Sequence, residues 1–295
     1  MAQDPKKVAP LTLMESERIK AEKLYRRWLN AIMAKIRRII AGATSAKDLK
    51  KKLRDFAESK AFFAMCKQAA RQTVTMLSVG QMHSWRAAAT VSLQGRKIYK
   101  ALQKELKSKT VGKRVQAIID ENAKLIKTVP QNIANQFSHM SAEKQFAGMR
   151  PEELMEEFKN RAPHLTDVEA RRIARTESGK AATALLQARC EDLGISFYTW
   201  YSCQDKRVRD SHRHMHNVIC AWNDPPDPES LNNEKSYGHY HPRGIFNCRC
   251  DALPVIDLSD INFPARVHRN GRITPVNNLR EFERLMGINN GGKRD

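Results

Sequence analysis

Nowhere in its 295 residues does this sequence hold an apolar run of the roughly 20 residues that a bilayer-spanning helix needs. The nearest approaches, Ala87 to Leu93 and Ala31 to Ala34, stop far short, so a water-soluble protein is expected. Cysteine is sparse: Cys66, Cys190, Cys203, Cys220, Cys248 and Cys250 are scattered except for the last pair. No charged-then-apolar signal segment opens the chain, and a reducing compartment is expected. A chain of this length buries a core in one large domain or two ordinary ones without disulfides. Glycine-rich phosphate loops are missing, because the terminal "GGKRD" follows no strand and opens no helix. There is no GxSxG elbow and no CxxC pair of the zinc-finger kind. The few aromatics among the basic residues, Tyr25, Trp28, Trp85 and Tyr99, sit at core-like spacings, which argues against stacking on single-stranded bases.

Positive charge, by contrast, is abundant and one-sided. The net charge is +20, and residues 1–150 carry 31 Lys and Arg against 11 Asp and Glu, while residues 151–295 carry 21 of each. A half-chain this basic repels itself unless a polyanion or an acidic surface neutralises it, which makes nucleic acid the leading partner over a merely solvated basic surface.

From Leu13 to about Leu106 the pattern is helical, with Tyr25, Trp28, Leu29, Ile32, Ile36 and Ile39 recurring every three or four residues. Gly42 is placed to end the first helix, and Ser45 with Asp48 to cap a second that carries Leu49, Leu53, Phe56 and Phe63. Further helices are expected over Met82 to Lys107, Val111 to Thr128 and Pro130 to Gln145. The acidic "RPEELMEEF" marks a domain boundary near Met149, with Pro151 at a first helical position. A connector and then a long helix should follow, with Thr166 as N-cap, Glu169 completing a capping box and Gly194 as terminator. "ISFYTWYSC" and "DALPVIDL" read as strands. The expected fold is α+β: a basic helical domain over 1–150, a smaller α+β domain over 151–260 and a tail over 261–295.

Three clusters carry chemistry. Asp205, Arg207 and Arg209 would share a face of an extended segment as a structural ion-pair set, while His212 and His216 would share a helical face at a metal-compatible spacing. In "HYHPRGIFNCRC", residues 239–250, Cys248 and Cys250 would point the same way on a strand, and a disulfide between them would be strained. Zn²⁺ suits such donors, with His212, His241 or both completing the set; the alternative is two buried thiols and a turn capped by His241. In "ARTESGKA", residues 174–181, Arg175 and Glu177 would join a buried polar network.

The order of these pieces is more specific than any one of them. Ala-Arg-Thr-Glu at 174–177, a strand ending in Trp200, Asp-x-Arg-x-Arg-x-x-His at 205–212 and Asn-Cys-Arg-Cys at 247–250 resemble the phage head morphogenesis family, minor head proteins similar to the F protein of phage Mu. The likeness covers about residues 165–256. Many members carry cysteines where this chain has Arg209 and His212, forming a metal site with the final CxC; arginine cannot ligate, whereas His212 can. The resemblance implies a non-enzymatic virion component made in the host cytoplasm and sited inside the head near the portal. Its implied partners are the portal protein, double-stranded DNA and the scaffold or major capsid protein, with roles in procapsid assembly and DNA packaging or delivery. It leaves Cys248 and Cys250 a second job, pinning their strand against the histidine segment with Asp205 and Arg249 as charge partners. The rival from the residues is a metal-dependent His-Asn nuclease with His212 as general base. A delivered effector is the third reading, and the span from Asp257 to Asp295 is too short for its catalytic module.

Overall fold

A computed structural model describes residues 5–91, 109–146 and 149–288, with side chains over 15–87, 111–144 and 149–288. Six helices come first: α1 (Pro5–Ala41), α2 (Ala46–Glu58), α3 (Lys60–Val91), α4 (Lys109–Lys127), α5 (Val129–Phe146) and α6 (Pro151–Asp192). Then follow β1 (Phe197–Tyr201), α7 (Asp210–His214), β2 (Val218–Ala221), α8 (Pro228–Leu231), β3 (Asp251–Pro254), β4 (Ala265–Arg269), β5 (Arg272–Val276) and α9 (Leu279–Met286). The described residues divide into a helical unit, within 15–80 and 113–181, and a sheet unit, within 5–14, 81–91, 109–112 and 182–288. Tyr99 and the end of the helix expected over Met82 to Lys107 lie outside the described residues.

The helical unit follows the apolar spacing. Tyr25, Leu29, Ile32, Met33, Ile36 and Ile40 are buried along one face of α1, and Leu49 and Leu53 along one face of α2. Ser45 caps α2 as expected, its hydroxyl accepting from the Asp48 amide at 3.1 Å. The same helix does not reach Phe63, because Ser59 ends it and starts α3: its hydroxyl donates to the Phe56 carbonyl at 2.8 Å and accepts from the Phe62 amide at 3.1 Å. Phe63 is therefore 40 % exposed on α3, while Phe62 takes the core position against Phe56. Gly80 lets α3 approach α1, since a Cβ there would meet the root of the Glu17 side chain at 2.6 Å.

The connector expected before Thr166 does not exist. α6 is continuous for 42 residues from Pro151, with Pro163 inside it. Thr166 caps nothing: its hydroxyl bonds back to the Ala162 carbonyl at 2.7 Å and accepts from Arg37 at 2.8 Å. Glu169 pairs with Arg172 instead of completing a box. Burial of Ala162, Ala170, Ile173 and Ala174 along one face outweighs the proline. Gly194 does terminate the run, at φ +70°.

The sheet unit is built on strand order β3-β1-β2-β4-β5, antiparallel except for the parallel β2–β4 pair. It is covered on both faces. Tyr198, Trp200, Val218 and Cys220 turn to one core, which also takes Trp85, Leu186, Cys190, Cys248 and Cys250. Phe197, Ile219, Ala221 and Val267 turn to the other, beneath Phe282 and Met286 of α9. That two-sided burial explains why every residue of β2 is buried. The span read as a tail supplies β4, β5 and α9. Its Asn270-Gly271 pair, both at positive φ, turns the β4–β5 hairpin, and Asn278 caps α9 by accepting from the Glu281 amide at 3.0 Å. Among the described residues no helix is long and apolar enough to cross a membrane.

Candidate metal centre

Short, tightly tethered segments meet on the Trp200 face of the sheet. α7 presents His212, and the chain entering β3 presents Cys248 and Cys250, whose i, i+2 spacing puts both thiols on one side. His212 Nδ1 lies 3.4 Å from Cys250 Sγ and 3.6 Å from Cys248 Sγ. The ligating atoms of the three residues lie within 4.8 Å of one another, and all three side chains are buried, at 2 %, 5 % and 1 % exposure for His212, Cys248 and Cys250.

Around them the polar groups are committed. Tyr240 Oη lies 2.9 Å from His212 Nε2 and donates to Glu229, whose two oxygens are both 2.7 Å away. Glu229 also accepts from the Ser211 hydroxyl at 3.3 Å. It rides on α8, which Asp227 caps by accepting from the Ser230 amide at 3.1 Å, with Pro228 at the first helical position. The Arg243 amide donates to Cys248 Sγ at 3.2 Å, while the buried Arg243 guanidinium grips Asp251, the first residue of β3, at 2.9 and 3.0 Å. The turn between needs Gly244, where a Cβ would meet the His241 carbonyl at 2.8 Å. The Cys250 thiol, by its hydrogen bond, holds Cys248 well below the ordinary thiol range, and Cys250 is raised by its Cys248 neighbour.

Other residues singled out from the sequence lie elsewhere. His241 stands apart from the three donors: its Nδ1 is 3.0 Å from Tyr198 Oη, its ring packs on Trp222, and burial lowers its pKa to about 4. His216 lies beyond α7 and accepts from the Ser202 amide, so His212 and His216 do not converge. Asp205 is ion-paired with Arg249, whose hydrogen bond holds the carboxyl at about 2, and Arg207 is a looser neighbour at 3.8 Å. Arg209 leaves that trio, stacking on Phe246 at 4.7 Å and donating to its carbonyl. Arg175 and Glu177 belong to the helical unit, where Arg175 faces Glu22 at 3.7 Å and Glu177 faces Lys180 at 3.3 Å. Sequence reasoning missed Glu229, Tyr240 and Arg243. The available signal was Asp227-Pro228 opening a short helix that carries an acidic residue.

The donor set fits Zn²⁺. Two sulfurs and an imidazole are its soft ligands, an amide hydrogen bond on sulfur stabilises the thiolate, and an engaged far nitrogen orients the histidine. Cys248, Cys250 and His212 would hold the ion, which when bound would cross-link α7 to the entry of β3. Among the described residues no fourth His, Cys, Asp or Glu joins the group.

Residues 145–253 match the family described as Phage Mu protein F like protein. These residues carry a Mu F-like domain, which includes His212, Cys248 and Cys250 and ends within β3. The chain is also 30 % identical over 153 residues to an uncharacterized protein of Haemophilus influenzae. That alignment covers 52 % of this chain and 32 % of the relative, so the chain spans about a third of the relative's length. No solved structure matches it.

Proposed function

We propose that the protein is a non-enzymatic minor capsid protein of a tailed phage, bound to the portal inside the head and acting in procapsid assembly and DNA packaging or delivery. The Mu F-like match over residues 145–253 carries this reading. The basic helices supply sequence-independent DNA contact: on α2, Lys47, Lys50, Lys51 and Arg54 are exposed, and none has an acidic partner within 4.0 Å among the described residues. Exposed Lys23, Arg27, Lys35 and Arg38 extend that surface along α1. Zn²⁺ on His212, Cys248 and Cys250 is a structural ion that sets the β3 end of the sheet unit.

His212 favours a structural role over the nuclease alternative. It is 2 % exposed and both ring nitrogens face protein groups, so it is not offered to an attacking water. Co-purification with the portal protein, together with DNA binding that weakens steeply with added salt, is the expected outcome. No portal capture, or DNA affinity indifferent to salt, overturns the corresponding half. Plasmid nicking by zinc-loaded protein, abolished by His212→Ala, would instead establish the nuclease.

A further inference from the structure

The zinc donors do not account for a buried acid beside them. Glu229 is 1 % exposed, and a carboxylate is buried at such cost only when its oxygens are satisfied. Its hydrogen-bond partners are hydroxyls, Tyr240 at 2.7 Å to both oxygens and Ser211 at 3.3 Å; His212 Nε2 stands 3.7 Å away, and no Lys or Arg pairs with it among the described residues. A carboxylate can only accept, so with Glu229 ionised the single phenolic proton of Tyr240 goes to it. The phenolic oxygen then faces His212 Nε2 at 2.9 Å with lone pairs alone. A neutral imidazole satisfies that oxygen only by carrying its proton on Nε2, which bares the Nδ1 lone pair to the sulfurs at 3.4 and 3.6 Å. The other tautomer would set two lone pairs against each other inside the core and point an N–H at the metal position.

We propose that Glu229 and Tyr240 are positioning residues: a carboxylate–phenol relay that fixes the His212 proton on Nε2 and presents Nδ1 as the imidazole ligand. This rests on the zinc centre proposed above. The relay reaches across separate segments, α8 for Glu229, the loop before the Gly244 turn for Tyr240 and α7 for His212. Outer hydrogen-bond partners of this kind contribute about 10–100-fold in metal affinity.

The test uses the full chain, ¹⁵N-labelled, with Zn²⁺ alone as the probe. Long-range ¹H–¹⁵N spectra of the metal-free protein read the His212 tautomer, and titration against a chromophoric chelator reads affinity. Wild type should show the Nε2–H form and bind one ion. Tyr240→Phe keeps the ring against Trp200 and should lose the single tautomer and about 10–100-fold in affinity. Glu229→Gln should fall in the same direction, and Cys248→Ser should lose the ion while keeping the Nε2–H form. An Nδ1–H imidazole in wild type overturns the relay whether or not any variant folds. So does zinc affinity unchanged in Tyr240→Phe, which leaves the centre standing. Wild type that binds no zinc, yet shows a tautomer sensitive to Tyr240→Phe, overturns the centre and with it the positioning role. A structural part alone would lower the melting temperature equally with and without zinc, whereas positioning shrinks the increment that zinc adds.

Discussion

In the helical unit, Tyr25, Leu29, Ile32, Ile36 and Ile40 line one face of a single element, and each meets the core by its place in a 3.6-residue period. In the sheet unit, Trp200, His212, Glu229, Tyr240, Cys248 and Cys250 come from separate short segments and meet through directional bonds. An apolar stripe degrades by degrees when one side chain is trimmed. A buried polar network fails as a unit, because each missing partner strands a donor or acceptor in low dielectric. Charge differs at one surface, although ion pairs such as Glu169–Arg172 and Glu22–Arg175 also occur in the helical unit. Exposed lysines of α2 stand uncommitted, whereas the sheet unit commits Asp205 to Arg249, Arg243 to Asp251 and Asp224 to Arg269.

The sharpest way to break that comparison is to remove one large side chain from each core. Trp200 is fully buried over the centre, its ring edge-on to His212, and Trp200→Ala should cost about 3–5 kcal/mol in urea unfolding, with a fall in zinc affinity beside it. Leu49→Ala on α2 should cost about 2–5 kcal/mol and leave zinc binding alone. A Trp200→Ala protein that keeps full zinc affinity would show the centre to be independent of the core beneath it. Next in size, replacing Lys47, Lys50, Lys51 and Arg54 together with alanine should lower the slope of log affinity against log salt by about 0.9 for each DNA phosphate that these side chains no longer neutralise. Replacing exposed Arg207 with alanine should leave that slope in place. Equal changes would erase the charge contrast. Smaller still, Arg243→Ala should cost about 1–3 kcal/mol by removing the two-pronged bond to Asp251, and Arg243→Lys should recover only part of it, since an ammonium cannot match two oxygens at once.

What the sequence disclosed follows from the same contrast. Helix faces were legible wherever the period held, and so were the Ser45 cap and the Gly194 stop, because both depend on neighbours within a turn or two. Reading failed where a tertiary gain overrode local chemistry. Pro163 and Thr166 look like an interruption, yet they lie inside α6 because the buried face on either side holds the helix together. Phe63 and Phe62 differ by one position, and only the Ser59 break decides which of them is buried. At the centre, the thiol pair and His212 were legible from their types and the i, i+2 spacing, and Arg249 with Asp205 from charge. Glu229 and Tyr240 were not, since nothing local marks an acid that will be buried by segments folding over it. The Asn270-Gly271 turn was a legible hairpin signal, and reading the span after Asp257 as a tail passed over it.

The smallest effect isolates the exposed end of the contrast. Asp205 is held at about 2 by Arg249, against about 3.9 in an unfolded chain. The unfolded state therefore takes up the proton first, and the contribution of the pair is complete above about pH 4 and lost as pH falls through about 2. Asp205→Asn should accordingly lower the urea midpoint by a constant amount from neutral pH down to about 5, and the gap to wild type should close between about pH 4 and pH 2. The size stays small because the carboxylate is solvated. A gap that persists at pH 2 would mean that Asp205 acts through more than its charge, since asparagine keeps the acceptor for the Arg207 amide at 2.9 Å, and that the pairing with Arg249 is not what holds the strand-entry loop.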